Sequence, residues 1–230
     1  ITICFALLLP FISYSQGWEK TYDGGFNEEV NASDKTLDGG IIMAGVQKEN
    51  VSGLQHAFLY KIDSLGNLVW EYYDQDHVAT FVRIKDLINT SDGNYLLDIR
   101  FGNFTNALSP ILQKISSNGT VLWEANLPTQ YVNYVTNIAE TADGGYIIIG
   151  PNNNSAGGTG VAKIDNNGNI VWEIQYVDSN HFVFPKDVMV TSNGDIILFT
   201  GLNDPIDPNT FIARLASDGS FIWQQEYNYG

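Results

Sequence analysis

Aspartates in the segments between predicted strands are the residues of this chain with the clearest capacity for chemistry. Asp74 and Asp76 lie in one such segment, Asp178 lies in a second, and Asp204 and Asp207 lie in a third. Oxygen ligands of this kind bind Ca²⁺, and paired carboxylates can act as acid and base on a glycosidic bond. These five residues are the candidate metal ligands. We expect no cofactor, with bound calcium as the alternative.

Other familiar chemistries find no support in the residue pattern. His56, His77 and His181 occupy different phases of a repeat of about 50 residues, so they predict no symmetric metal site. The chain has no Gly-x-Ser-x-Gly and no His-Glu-x-x-His motif, and its glycine-rich segment 157–160 lacks the lysine of a phosphate-binding loop. We therefore assign no catalytic residue and expect a protein that is not an enzyme.

Composition and charge narrow the classes of partner. Hydrophobic residues make up 44% of the chain and aromatic residues 13%, which predicts a folded core. The net charge is −15, and residues 1–15 contribute none of it. Because an acidic surface repels phosphate groups, nucleic acid and anionic membranes are excluded as expected partners, whereas cations and neutral polymers remain candidates.

The segment 1–15 has the composition of a secretory signal peptide that lacks its basic start. It is uncharged and apolar, too short to span a membrane, and Ser13 and Ser15 suit cleavage before Gln16. The only cysteine, Cys4, lies inside it, so the rest of the chain can form no disulfide bond. This pattern predicts an exported protein, secreted or at the surface of a bacterial cell.

Five tryptophans mark an internal repeat. They are 52, 53, 49 and 51 residues apart, and each of the last four follows a glycine by four residues and a basic residue by nine. A Thr-x-Asp/Asn-Gly segment also occurs once per repeat, at 36–39, 90–93, 141–144 and 191–194. Such a period is typical of arrays of supersecondary units. The repeat residues are Trp18, Trp70, Trp123, Trp172 and Trp223; Gly66, Gly119, Gly168 and Gly219; and Lys61, Lys114, Lys163 and Arg214.

Each repeat is predicted to form four short strands, here named A to D. In the clearest copy we predict strand A at 134–141, strand B at 146–149, strand C at 161–165 and strand D at 170–176. Strand B is continuously apolar, as in a sheet covered on both faces, whereas strand D alternates as an outer strand does. The expected fold is an all-β propeller of four-stranded antiparallel blades, with a stacked solenoid as the alternative.

Segments such as 57–70 and 211–223 resemble the repeats of bacterial secreted β-propeller proteins of the SBBP type. They are also similar to the tryptophan-docking repeats of quinoprotein-like propellers. The resemblance implies the propeller fold. It also implies that sequence beyond residue 230 serves for attachment or secretion. It does not extend to a pyrroloquinoline quinone site, because the adjacent cysteines of those enzymes have no counterpart here.

Trp18 lies on a predicted outer strand that has no A, B or C strand before it. We therefore expect an incomplete, open arc of four blades from a larger propeller, with further C-terminal blades as its intramolecular partners. The predicted boundaries are 16–23 for the orphan outer strand, 24–73, 74–126 and 127–176 for the first three blades, and 177–230 for the fourth blade and the start of the next.

Structural roles are predicted for the repeat residues. The tryptophans are expected to pack between neighbouring blades. Hairpin geometry predicts that each basic residue pairs diagonally with an acid on strand D, such as Lys61 with Glu71. The same reasoning pairs Lys114 with Glu124, Lys163 with Glu173, and Arg214 with the region of Gln224 and Glu226.

Function is predicted to lie on the variable loops. The B–C and D–A loops vary in length and emerge on one end of the blades, which we name the loop face. We expect a non-catalytic scaffold that binds an extracellular protein or glycan there. The alternatives are a carbohydrate-active propeller enzyme and a calcium-stabilised adhesive repeat. The loop face carries Glu28, Glu29 and the five candidate aspartates, with His77, Tyr131, His181 and Phe182 among them.

Overall fold

A computed structural model describes residues 19–22, 25, 27–102, 109–127, 129–152, 158–177, 183–202 and 209–227, which form sixteen strands and no helix. The strands build four antiparallel sheets, each in the order A, B, C, D along the chain. The first sheet contains β1 (Asn27–Lys35), β2 (Ile41–Lys48), β3 (Gln55–Ile62) and β4 (Leu68–Tyr73). The second contains β5 (Phe81–Asn89), β6 (Tyr95–Gly102), β7 (Ser109–Ile115) and β8 (Val121–Asn126). The third contains β9 (Asn137–Glu140), β10 (Tyr146–Pro151), β11 (Thr159–Ile164) and β12 (Ile170–Tyr176), and the fourth β13 (Val183–Val190), β14 (Ile196–Leu202), β15 (Thr210–Leu215) and β16 (Phe221–Tyr227).

The turn between the third and fourth strands uses its own carboxylate as a cap. In the first sheet, Asp63 Oδ1 accepts hydrogen bonds from the backbone N–H groups of Leu65 (2.9 Å) and Asn67 (2.8 Å). Gly66 closes the turn with a φ of 76°, a left-handed conformation that glycine adopts without a steric penalty. Asp63 therefore serves as the cap of a glycine-bulge hairpin.

Hydrophobic cores lie between neighbouring sheets, and the second strand of each inner sheet faces two of them. Ile147 and Ile149 pack against the fourth sheet, whereas Tyr146 and Ile148 pack against the second. All four side chains are fully buried. Burial on both faces explains why this strand is apolar without alternation, as the sequence predicts.

The first strands β1, β5, β9 and β13 contact one another from sheet to sheet and form the inner edge of the stack. The all-β prediction of four-stranded antiparallel sheets is confirmed. One strand differs from its prediction: β9 begins at Asn137 and not at Tyr134, because Val132 and Val135 turn into the core before the strand starts.

Each of the first three strand-D tryptophans lies against the glycine that opens strand D of the next sheet. Trp70 Cε3 would be 3.0 Å from a Cβ atom placed on Gly119, and the indole N–H of Trp70 donates to Ser117 O at 2.9 Å. The other contacts of this kind join Trp123 to Gly168 and Trp172 to Gly219.

The two ends of the array differ from its middle. Trp223, on β16, is 39% exposed. Trp18 lies outside the described residues, and residues 19–22 belong to none of the strands. Instead, Tyr22 donates its hydroxyl to Gly66 O at 2.7 Å and Lys20 donates to Asn67 Oδ1 at 2.6 Å. This segment therefore covers the turn of the first sheet that corresponds to the tryptophan-contacting turns of the other sheets.

The predicted diagonal pairing of the repeat lysines with Glu71, Glu124 and Glu173, and of Arg214 with the Gln224 and Glu226 region, is wrong. The basic side chains cross the second strand in the other direction and reach the turn between the first and second strands. Lys61 pairs with Asp38 at 2.9 Å and Lys114 with Asp92 at 3.1 Å, and Lys114 is only 1% exposed. Lys163 pairs likewise with Asp143, and Arg214 with Asp195.

Gly119→Ala is expected to destabilise the protein more than Gly93→Ala, although both glycines have a φ near 80°. The shared backbone conformation costs about 1–2 kcal/mol for any L-residue. A Cβ on Gly93 meets only Leu37 Cδ1 at 3.9 Å, whereas at Gly119 it displaces Trp70, which adds about 1–3 kcal/mol. Urea unfolding followed by tryptophan fluorescence measures both free energies, and equal losses would contradict the packing role of this contact.

Candidate functional site

Chain direction places the loops that differ most between repeats at one end of the sheets. In every sheet the first and third strands begin at this end and the second and fourth strands finish there. It is the loop face of the sequence prediction. Residues 103–108, 153–157, 178–182 and 203–208 of these loops lie outside the described part of the chain, and with them Asp178, His181, Phe182, Asp204 and Asp207.

A pocket of about 340 Å³ opens on the loop face between the first and second sheets. Its volume is in the range of small-ligand sites. The walls come from the start of β1, the end of β2 and the starts of β3 and β5. Its lining residues are Asn27, Glu28, Glu29, Asn31, Val46, Lys48, Gln55, Phe81, Val82 and Arg83.

Gln55 joins the two sheets at the base of the pocket. Its backbone N–H donates to Ala79 O at 2.7 Å, and Ala79 N–H donates back to Gln55 O at 3.2 Å. Its side-chain Oε1 accepts the backbone N–H of Val82 at 2.8 Å. Three hydrogen bonds thus hold the segment before β5 against β3, so the pocket wall is built by ordered backbone.

Glu28, which also lines the pocket, is held by side chains of its own sheet. Its Oε1 accepts the hydroxyl of Tyr60 at 2.9 Å and the amide of Gln47 at 3.3 Å. Tyr60 also hydrogen-bonds the hydroxyl of Tyr73 at 2.6 Å. Burial, with the neighbouring Tyr73 and Glu28, raises the pKa of Tyr60 well above its usual range, so this tyrosine stays a neutral donor.

The D–A loop beside the pocket is organised around Asp74, which is fully buried. Its carboxylate accepts the backbone N–H groups of Asp76 (2.9 Å) and His77 (3.1 Å), and Oδ2 lies 2.9 Å from His77 Nδ1. The other ring nitrogen of His77 is 3.2 Å from Glu124 Oε1 on the second sheet. His56 Nδ1 lies 3.2 Å from the backbone oxygen of Asp74.

These contacts give Asp74 a structural role, because both of its oxygens already have partners within the loop. Two of the three histidines thus meet at one aspartate, a convergence that their different repeat phases do not predict. Within the described ranges no group of three or more His, Cys, Asp or Glu side chains could hold a metal ion. Calcium binding at this face stays a prediction that involves Asp76 and the three aspartates outside those ranges.

A buried ion pair between the second and third sheets was not predicted from the sequence. Asp98 Oδ1 accepts the backbone N–H groups of Lys85 (3.0 Å) and Asp86 (2.7 Å), and Oδ2 lies 3.2 Å from Arg100 Nε. The Arg100 guanidinium stacks 4.2 Å from the ring of Tyr134 and donates to Val135 O. The signal for it is visible in the sequence: Asp98 stands where the other repeats have Ala44, Ile149 and Phe199.

Comparisons with known proteins identify the fold but no family. No family model matches the chain, and no curated protein does. A protein of unknown function from Dyadobacter fermentans is similar in structure, with a TM-score of 0.62, 14% identity, and coverage of 86% of this chain and 69% of that one. An ACO/RPE65 chimera gives a TM-score of 0.52 and 10% identity over 87% of this chain and 50% of its own. A protein of unknown function from Bacteroides caccae gives 0.47 and 14% identity over 91% and 85%.

The chain is therefore an all-β protein of the propeller type, with four four-stranded sheets in its described part. Its bacterial structural neighbours have no known function, so the structural similarity supports an assignment of fold and not of function. No helix among the described residues is long and apolar enough to cross a membrane.

Asp98→Asn is expected to change how stability depends on pH. Burial raises the pKa of Asp98 to about 6, against the opposing effect of Arg100 and two backbone amides. Because this value lies above that of an unfolded aspartate, the folded state binds the extra proton, and the free energy of unfolding falls as pH rises from about 4 to about 6. The loss is about 2–3 kcal/mol and is absent in the variant.

The measurement is urea unfolding of both proteins between pH 3.5 and pH 7, and parallel profiles would contradict the raised pKa. Asp218→Asn is the control for the direction of the pH dependence. Its side chain is exposed, and hydrogen bonds from Ser220 lower the pKa of the Asp218 carboxyl. The wild type should therefore gain stability over that variant as pH rises through the acid range, the opposite slope.

Proposed function

We propose that this protein is a non-catalytic, exported propeller scaffold that binds an extracellular polymer or protein through its loop face. The observation that carries the proposal is the pocket between the first and second sheets. It lies at the end of the sheets where the loops vary, and its walls are fixed by hydrogen bonds such as those of Gln55. Rigid frameworks that carry variable loops are a common arrangement for binding sites.

Export is supported by residues 1–15, whose composition suits a signal peptide. The absence of cysteine from the rest of the sequence fits either redox environment, so it neither favours nor opposes this location. The acidic net charge of −15 keeps such a protein soluble and away from anionic surfaces. These points support a partner outside the cell.

A carbohydrate-active enzyme is the alternative that the pocket itself raises, because Glu28 and Glu29 both line it. Hydrolysis of a glycosidic bond needs two carboxylates on opposite sides of the bond. Glu28 and Glu29 are consecutive on β1, so their side chains leave opposite faces of the strand. Glu28 is further engaged by Tyr60 and Gln47. These contacts favour binding over catalysis.

A polysaccharide array tests the proposal. We expect the full chain to bind one or more of the arrayed polymers, and expect Lys48→Ala combined with Phe81→Ala to lose at least about 10-fold in affinity, since both residues line the pocket. The matched control is Leu37→Ala combined with Leu65→Ala, two exposed residues on turns at the opposite end of the sheets.

Two results would contradict the proposal. Equal loss of binding in both double variants would remove the loop face as the binding surface. Release of new reducing ends from a bound polysaccharide would show that the protein is an enzyme, and the carbohydrate-active alternative would replace the scaffold.

A further inference from the structure

The basic residues of this chain fall into two groups. There are 11 of them against 26 acidic residues. Five form ion pairs inside the fold, and Lys20 donates to Asn67. The other five form no ion pair within the described residues, which is unusual in a protein with such an excess of carboxylates. They are Lys35, Lys48, Arg83, Lys85 and Lys186.

These five basic residues are not scattered over the surface. Lys35, Arg83, Lys85 and Lys186 lie on the first strands β1, β5 and β13, which form the inner edge of the stack. Lys48 ends β2, beside the same edge. The same strands also carry carboxylates, so the inner edge combines both signs of charge: Glu28, Glu29, Asp34, Asp86, Glu140 and Asp187. Any attraction for an anion therefore depends on where single cations lie and not on the net charge of this edge.

Two of these cations, Arg83 and Lys48, line the pocket on the loop face. Resting on the assignment of this pocket as a binding site, we propose that it takes an acidic sugar and that Arg83 binds the sugar's carboxylate group, with Lys48 as the second cation. The ligand class is a uronic-acid glycan. Arg83 is the residue that separates it from a neutral glycan.

The guanidinium of Arg83 is positioned for this role. It lies 5.4 Å from the centre of the Phe81 ring, two residues earlier on the same strand and also in the pocket. Contact with an aromatic face limits the freedom of an exposed arginine. A planar guanidinium then presents two parallel N–H groups, which match the two oxygens of a carboxylate.

The rest of the lining suits a sugar ring better than a denser anion. Asn27 and Asn31 offer amide groups to hydroxyls, and Val46 and Val82 offer apolar surface to the C–H face of a ring. Glu29 also lines the pocket and repels negative charge. One carboxylate per sugar can reach Arg83 while its hydroxyls face Glu29, but a phosphate chain would bring several charges close to that glutamate.

Matched pairs of ligands test the proposal. The probes are trisaccharides of glucuronic, galacturonic and mannuronic acid, each compared by calorimetry with its methyl ester, which keeps the shape and removes the charge. We expect at least one acid to bind the full chain about 10- to 100-fold more tightly than its ester, as a charge-assisted bidentate contact predicts.

Arg83→Gln should remove the preference for the acid, so that acid and ester bind this variant with similar affinity. Lys35→Gln is the matched control, because it changes the net charge equally, also lies on a first strand, and ends that strand far from the loop face. Its acid preference should equal that of the wild type. Circular dichroism and unfolding of both variants confirm that they fold.

Three outcomes would overturn the inference. If every ester that binds does so as tightly as its acid, the pocket binds glycans irrespective of their charge, and the proposed function stands alone. If Lys35→Gln weakens binding as much as Arg83→Gln, the preference arises from net charge and not from the pocket. If tripolyphosphate binds more tightly than every uronate, the site selects charge density and not an acidic sugar.

Discussion

The contact of a tryptophan with a glycine on the next sheet is the constraint on which the rest of this structure depends. Trp70 can lie flat on the turn of the second sheet only because Gly119 has no Cβ and a positive φ. The same pair of residues recurs between the second and third sheets and between the third and fourth. Since each contact joins the end of one repeat to the end of the next, it fixes how neighbouring sheets are stacked. That stacking brings the loop ends of adjacent sheets together and forms the pocket.

A second constraint acts inside each sheet. In the first three sheets the buried lysine of the third strand reaches the aspartate of the Thr-x-Asp-Gly turn, and in the fourth Arg214 reaches Asp195 directly after the turn. One charge pair thus joins the turn to the sheet centre. Lys114 is the clearest example, because its ammonium group contacts Asp92, Thr90 and the hydroxyl of Tyr146. A buried charge without such partners would be strongly destabilising, which explains why a basic residue on the third strand and an aspartate at or next to this turn occur together in each repeat. The rule that diagonal neighbours on a hairpin pair does not predict this contact, because the basic side chain passes over the second strand to reach the turn.

The fold could be predicted because its signals are local and repeated. The glycines before the tryptophans, the Thr-x-Asp/Asn-Gly turns and the apolar second strands each define an element within a few residues. The candidate site depends on single contacts between distant residues, such as Gln55 with Val82 and His77 with Glu124, and within the described ranges these occur in one repeat only. A periodic sequence pattern therefore does not predict these contacts. Asp98 and Arg100 are an intermediate case, since their charges interrupt an apolar strand in a way that comparison of the repeats makes visible.

The division between repeated and unrepeated residues also explains where function can lie. Charges required by the fold recur in every sheet and are neutralised there, as in the pairs of Lys61 with Asp38 and Lys163 with Asp143. Charges that occur once, such as Arg83, contribute no ion pair to the described fold. A cation that the fold does not neutralise keeps its electrostatic attraction for a ligand. Unrepeated residues such as Asp98 and Arg100 can still be structural, so the useful combination is a cation that occurs once and has no ion pair among the described residues. Arg83 meets both conditions and lines the pocket between the first two sheets.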